Sequence, residues 1–128
     1  MWRKKVFRHV FRIHGLLESF RIAFKGIWYM FLYHRNMRII FLIGLAAFLT
    51  GIYFQLKGIE FMILCITITA VFMAEMFNTA IEMVTNMVAH KFHLRVKVIK
   101  DIAAAVVLIA SLNAVAVGYA LFWKRLFK

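Results

Sequence analysis

Long apolar segments alternate with short basic segments along the chain. Charge-free runs cover residues 39–56, 61–74 and 102–123, with lengths of 18, 14 and 22 residues. A helix needs about 20 mostly apolar residues to cross a bilayer, so the first and third runs are long enough alone. The second run reaches that length if its helix continues through Glu75. The pattern predicts an all-α integral membrane protein with spanning helices over 37–54, 59–88 and 101–123.

The segment before these spans has an amphipathic pattern. From position 19 onward, apolar side chains recur at helical intervals, at Phe20, Ala23, Phe24, Ile27 and Phe31. Charged residues such as Glu18 and Arg21 fall on another face. The pattern predicts a surface helix over 19–34 that lies in the membrane interface. Residues 1–18 form a basic N-terminal lead, with five lysines and arginines and no acid among the first 14 residues.

The middle span carries polar residues at helical spacing. Glu75, Asn78, Thr79 and Glu82 are separated by intervals of three, four and seven, and Asn86 follows one turn later. Residues at these intervals share one face of an α-helix. An ionisable side chain in hydrocarbon costs roughly a few kcal/mol or more, and it usually faces a partner, water or a ligand. This polar stripe is therefore the candidate functional site.

Composition and charge agree with a membrane location. The chain is 65% hydrophobic and has a mean hydropathy of +0.84, which predicts one small membrane domain over residues 1–128. Its 17 lysines and arginines give a net charge of +12, and they cluster at the edges of the apolar runs. Basic residues in such places bind anionic lipid headgroups, so we expect a membrane partner and no nucleic acid.

The distribution of basic residues also predicts an orientation. The N-terminus and the segment from His90 to Lys100 are strongly basic and are placed in the cytoplasm, with the turn at Lys57 outside. The chain would then cross the membrane several times. This arrangement leaves three basic residues of the C-terminus outside, against the positive-inside rule: Lys124, Arg125 and Lys128.

The two carboxylates of the polar stripe suit different tasks. Glu75 follows a run of apolar residues, where a carboxylate is a good proton acceptor, so it is the candidate general base. Glu82 lies nearer the aqueous edge and is the candidate ligand of Mg²⁺, which often binds through one or two carboxylates and substrate phosphates. Asn78 can orient either group, and Lys100 with Asp101 can bind a nucleotide. The same polar residues can equally serve as contacts between helices.

The order of residues in this region resembles a known family. The string AEMFNTAIEMVTN at 74–86, FH at 92–93, KD at 100–101 and the apolar run at 103–111 resemble the bacterial integral membrane kinases of the diacylglycerol and undecaprenol kinase family. The upstream strings SFRIAFKGIWYMF and RNMRI resemble the surface helix and the first span of that family. The resemblance covers roughly residues 16–122.

The resemblance implies ATP-dependent phosphorylation of a lipid hydroxyl, of diacylglycerol or undecaprenol, in the inner membrane of a bacterium. At matching positions it implies Glu75 as the general base, in contact with the lipid together with Asn78. Glu82 would hold Mg²⁺ and contact the nucleotide, along with Asn78, Lys100 and Asp101. The family works as a homotrimer with active sites between subunits, so a homotrimer is expected here.

Three positions depart from the family pattern. His34 stands where the family usually has a glutamate proposed as a metal ligand, Asn86 where the motif ends in aspartate, and Phe92 where it has tyrosine. Imidazole is a poor ligand for Mg²⁺, so His34 would act through water, or another divalent metal would serve, or activity would be reduced or lost. The alternatives are therefore a catalytically inactive packing or lipid-binding protein of the same fold and, more weakly, a small subunit of a larger complex.

Overall fold

The computed structural model describes residues 15–91 and 93–127, and within these ranges the chain forms four α-helices and no β-strand. The helices are α1 (Leu16–Tyr33), α2 (Arg35–Tyr53), α3 (Ile59–Val88) and α4 (His93–Leu126). The last three are long and apolar enough to cross a membrane. The predicted all-α fold with three candidate spans is therefore confirmed. The chain divides into two compact units, Met1–His34 and Arg35–Lys128.

In the first unit, α1 begins directly after Gly15, whose backbone is extended (φ −60°, ψ 156°). Glu18 lies in the first turn, where a negative charge interacts favourably with the helix dipole. The helix thus starts before the predicted position 19, and residues 1–14 of the predicted basic lead lie outside the described residues. His34 ends the helix with an extended backbone, and its N–H donates to the Met30 carbonyl at 3.0 Å.

A short turn joins α2 to α3 in the second unit. The Leu56 N–H donates back to the Gly51 carbonyl at 3.0 Å, and Gly58 has φ +59°, a backbone conformation that favours glycine. Gly51 is buried, and a Cβ added there would lie 2.6 Å from Leu64 Cδ2 on α3. The absence of a side chain at position 51 therefore allows α2 and α3 to approach closely.

The last helix is longer than the sequence predicted. Hydropathy predicted a helix over 101–123 after a basic loop, whereas α4 begins at His93 and ends at Leu126. Hydropathy marks only the part of a helix that can enter hydrocarbon, and lysine and arginine are good helix formers that extend it into the interface. The ends of α2 differ from the predicted range by one or two residues, and α3 coincides with its predicted range.

The central helix of the second unit is α3. It packs along α4 and, less extensively, against α2. Near the turn between α2 and α3, Leu56, Leu64 and Leu121 form a buried core against which Phe61 and Phe122 pack. Many large apolar side chains elsewhere on the three helices are exposed, as expected for helices that meet lipid.

Two polar contacts define how α3 lies against α4. At one end of the pair, Lys100 Nζ donates to Asn86 Oδ1 at 2.6 Å. At the other end, Arg125 Nη2 donates to Glu60 Oε2 at 2.7 Å, and Arg125 Nη1 donates to the Leu121 carbonyl at 2.8 Å. In each of these two residue pairs, the midpoint of the two sequence numbers lies close to 93. The two helices are therefore antiparallel and keep the same register along their length. The sequence predicts Arg125 on the outer side, against the positive-inside rule. In the structure its charge is paired with the carboxylate of Glu60.

Candidate active site

The polar stripe of α3 changes from buried to exposed toward the C-terminal end of the helix. Glu75 and Thr79 are buried, with 6% and 5% of their surface exposed, and Asn78 is half-buried. Glu82 and Asn86 are exposed. At 1.5 Å per residue, Glu82 lies about 10 Å further along the helix axis than Glu75. The two carboxylates therefore occupy different environments on one helix face.

The buried carboxylate of Glu75 has no hydrogen-bond or ion-pair partner among residues 15–91 and 93–127. Among the described residues, every fully enclosed side-chain oxygen or nitrogen has a hydrogen-bond partner. Because the Glu75 oxygens have none, they are not fully enclosed and reach the molecular surface. An ionised carboxylate only accepts hydrogen bonds. Its lone pairs thus remain available for the proton of a hydroxyl group that reaches the site from outside.

Small side chains of α4 lie level with the stripe. In the register of the two helices, Ala103 is close to the level of Glu82, and Ser111 is close to the level of Glu75. Ala103 is buried and Ser111 is half-buried. The chain has no charged residue between positions 102 and 111, so α4 brings no countercharge to these levels.

The predicted nucleotide-binding pair lies on α4, about two turns after its first residue. Lys100 is half-buried and bonded to Asn86, whereas Asp101 is exposed. Asp101 forms no hydrogen bond or ion pair in the part of the chain that the structure describes. The structure therefore brings Lys100 to the exposed end of the polar stripe, one helical turn beyond Glu82, with Asp101 next to it in sequence.

The described residues include no group of three or more histidine, cysteine, aspartate or glutamate side chains arranged to hold a metal. As one exposed carboxylate, Glu82 fits Mg²⁺ that is bound mainly by water and substrate phosphates. His34 lies in the first unit, where its ring is 6.0 Å from that of Tyr29, which is in turn 4.7 Å from the Tyr33 ring. Imidazole is a poor Mg²⁺ ligand, and the metal role of His34 stays a prediction.

The contact between Asn86 and Lys100 was missed in the sequence. The sequence places Asn86 on the polar stripe and marks it as a departure from the family motif, but it predicts a loop for the basic segment before Asp101, so it gives Asn86 no partner there. Residue spacing on one helix does not predict this contact, because the contact depends on the register between α3 and α4.

The fold and the stripe together define a class of protein: a small helical membrane protein with three candidate spans and two carboxylates on one face of its central helix. Comparison with known proteins then gives the family. The chain belongs to the family described as prokaryotic diacylglycerol kinase, whose sequence model matches residues 21–122. This confirms the family that the motifs predicted, which is a family of lipid kinases.

Two relatives extend this finding. The chain is 38% identical over 105 residues to a protein from Synechocystis sp. named diacylglycerol kinase, and the match covers 81% of this chain and 60% of that protein. It is 30% identical over 118 residues to the undecaprenol kinase of Bacillus subtilis, and the match covers 92% of this chain and 96% of that protein. The chain thus spans less than two thirds of the first relative and nearly all of the second. Since both relatives are named as lipid kinases, the comparisons do not favour the catalytically inactive alternative.

Proposed function

We propose that the chain is an ATP-dependent kinase that phosphorylates the hydroxyl group of a membrane lipid, diacylglycerol or undecaprenol, at the cytoplasmic face of a bacterial inner membrane. The observation that supports this most directly is the buried carboxylate of Glu75, which has no partner among the described residues and lies on the same helix face as the exposed Glu82. A lipid hydroxyl arrives from hydrocarbon and ATP arrives from water. The buried carboxylate of Glu75 would meet the lipid hydroxyl, and the exposed carboxylate of Glu82 would meet the nucleotide with its metal ion.

In the proposed reaction, Glu75 is the general base. Its carboxylate accepts the proton of the lipid hydroxyl while the hydroxyl oxygen bonds to the γ-phosphorus of ATP. The bond from that phosphorus to the bridging oxygen breaks, and ADP leaves with the electron pair. Asn78, three residues after Glu75, would orient the lipid hydroxyl or a phosphate oxygen through its amide.

The nucleotide would bind at the exposed end of the stripe. Lys100 would contact phosphate oxygens, and the Asp101 carboxylate would accept hydrogen bonds from the nucleotide. Mg²⁺ supplies charge neutralisation of the triphosphate when it is bound, and Glu82 would hold it together with phosphate oxygens and water. Because His34 replaces the usual acid of the family, another divalent metal is a second candidate.

We further propose that the active unit is a homotrimer. Ala110, Ala114 and Gly118 recur at intervals of four on α4, and a Cβ added at Gly118 would meet no atom within 4 Å. Small residues of this kind allow helices of neighbouring subunits to approach closely. A particle mass in detergent that corresponds to three 15.0 kDa chains would support the trimer. A fully active monomer would exclude it.

A substrate panel tests the proposed function. The purified protein is placed in vesicles that contain diacylglycerol or undecaprenol, and γ-labelled ATP is added with Mg²⁺, Mn²⁺ or Zn²⁺. We expect label to appear in the lipid fraction with at least one of the two lipids and to depend on the divalent metal. If no lipid is labelled under any of these conditions, while the protein remains folded, the kinase proposal is wrong.

A further inference from the structure

The contact between Asn86 and Lys100 joins α3 to α4 at the exposed end of the polar stripe. Lys100 Nζ lies 2.6 Å from Asn86 Oδ1, and the two residues are 14 positions apart in sequence. Lys100 is half-buried, while Asn86 is exposed. The long lysine side chain is thus held at one place instead of moving freely in water, which removes part of its conformational freedom before any ligand binds.

The acceptor in this contact is neutral. An ammonium group has three N–H donors, and the amide oxygen of Asn86 accepts only one hydrogen bond from it. The other two donors stay available, and the full positive charge of Lys100 is retained. A carboxylate at the same place would form an ion pair and compensate that charge.

No acid forms an ion pair with Lys100 within the described ranges. Glu82 is one turn before Asn86 on α3, and Asp101 follows Lys100 directly, but neither forms an ion pair with it. The opposite end of the same helix pair is different, because Arg125 is paired there with the carboxylate of Glu60 at 2.7 Å. Among the described residues, the cation fixed at the exposed end of the polar stripe thus lacks the ion-pair partner that the cation at the opposite end has.

We propose that Asn86 is a positioning residue that holds the Lys100 ammonium, with its charge uncompensated, for a phosphate group of the nucleotide. The inference rests on the proposed function and gives a role to Asn86, a residue of the polar stripe to which the family resemblance assigns none. Asn86 acts through Lys100 and has no contact with the reacting atoms. Its loss should therefore affect nucleotide affinity much more than turnover.

The direct test is binding of ATP in EDTA to the purified full chain in detergent, so that no metal bridges the nucleotide to the protein. Asn86→Leu removes the acceptor at similar size. We expect this substitution to raise the Kd for ATP roughly tenfold, the scale of one hydrogen bond to a charged group. Asn86→Gln keeps a neutral acceptor and should restore part of the affinity.

Matched controls separate positioning from general damage to the fold. Asn113→Leu makes the same chemical change at an exposed position of α4 and should leave the Kd for ATP unchanged. Lys100→Met should weaken ATP binding at least as much as Asn86→Leu, whereas Lys97→Met, at an exposed lysine of the same helix, should have a much smaller effect. At saturating ATP with Mg²⁺, the kcat of Asn86→Leu should stay within about twofold of the parent.

The outcomes distinguish this inference from the kinase proposal. An Asn86→Leu variant that binds ATP as tightly as the parent would overturn the inference, even if the parent phosphorylates lipid. An equal loss in Asn113→Leu would overturn it as well. If the parent binds ATP with the expected dependence on Asn86 but labels no lipid, the inference stands and the kinase proposal fails. A parent chain that binds ATP with Mg²⁺ but not in EDTA overturns the inference alone, and one that binds no ATP under either condition overturns both.

Discussion

Glu75 and Glu82 are two helical turns apart on α3, but only Glu82 is exposed. A buried carboxylate without a partner is suited to accept a proton from a lipid hydroxyl. An exposed carboxylate can share a metal ion with phosphates and water, which is the usual manner of Mg²⁺ binding. The difference in exposure thus assigns the two residues to different steps of the proposed reaction.

Glu82→Gln tests the metal role. Removing the negative charge should raise the Mg²⁺ concentration for half-maximal lipid phosphorylation roughly tenfold or more, because one charged ligand is lost. The measurement is a Mg²⁺ titration at fixed ATP, with Glu60→Gln as the control. Glu60 undergoes the same chemical change on the same helix, but it pairs with Arg125 at the opposite end. A Glu82→Gln variant with the parent's Mg²⁺ dependence would remove Glu82 from the metal site.

Helical spacing predicted which residues share the stripe, because the period of an α-helix is fixed by its backbone hydrogen bonds. The sequence also indicated that Glu82 lies nearer the aqueous edge than Glu75. It could not indicate that Glu75 has no partner among the described residues, or that Lys100 is bonded to Asn86. Both facts depend on how α3 and α4 are placed against each other, which residue spacing on one helix does not determine.

At the scale of elements, the approach of α2 to α3 depends on Gly51. A Cβ at this position would lie 2.6 Å from Leu64 Cδ2, and Leu64 is only 3% exposed. The leucine therefore has little room to move aside. In contrast, a Cβ added at Gly26 of α1 would meet no atom within 4 Å.

Gly51→Val should therefore destabilise the protein by about 1–3 kcal/mol relative to Gly26→Val, since overpacking a tight helix contact costs that much. Both substitutions replace a helical glycine with valine, so the change in helix propensity is the same and cancels in the comparison. The measurement is unfolding in detergent, followed by circular dichroism. Equal stability of the two variants would show that α2 and α3 are not in close contact at position 51.

Helix type and number were predictable from the sequence, whereas the start of α4 was not. Long apolar runs predict spanning helices because bilayer thickness sets their length. The basic residues before Asp101 gave no apolar signal, although they belong to α4 from His93 onward. Their helical state follows from continuation of the backbone ladder and from the helix propensity of lysine and arginine.

At the scale of the whole molecule, the orientation in the membrane follows from charge. The segment around Lys91 is strongly basic, whereas the turn at the other end of α3 carries only Lys57. The pairing of Arg125 with Glu60 reduces the conflict between the C-terminal basic residues and the positive-inside rule. We therefore expect the exposed end of the polar stripe in the cytoplasm, where ATP is present.

Cysteine labelling tests this orientation. Cys65 is the chain's single cysteine, so a Cys65→Ala background allows one new cysteine at Lys57 or at Lys91. A membrane-impermeant maleimide should label Lys57→Cys in intact spheroplasts and label Lys91→Cys only after the membrane is opened. The reverse result would place the polar stripe at the outer face, where it could not meet cytoplasmic ATP.

The proposed reaction requires the buried carboxylate of Glu75 on α3 to take the proton of a membrane lipid hydroxyl. The measurement that tests it most directly is the rate of phosphate transfer from γ-labelled ATP to lipid in vesicles, compared among the parent, Glu75→Gln and Glu60→Gln. We predict that Glu75→Gln lowers kcat by about 10²–10⁴-fold, the usual contribution of a general base, while the protein stays folded and Glu60→Gln stays close to the parent. A folded Glu75→Gln variant that transfers phosphate at the parent's rate would contradict the account.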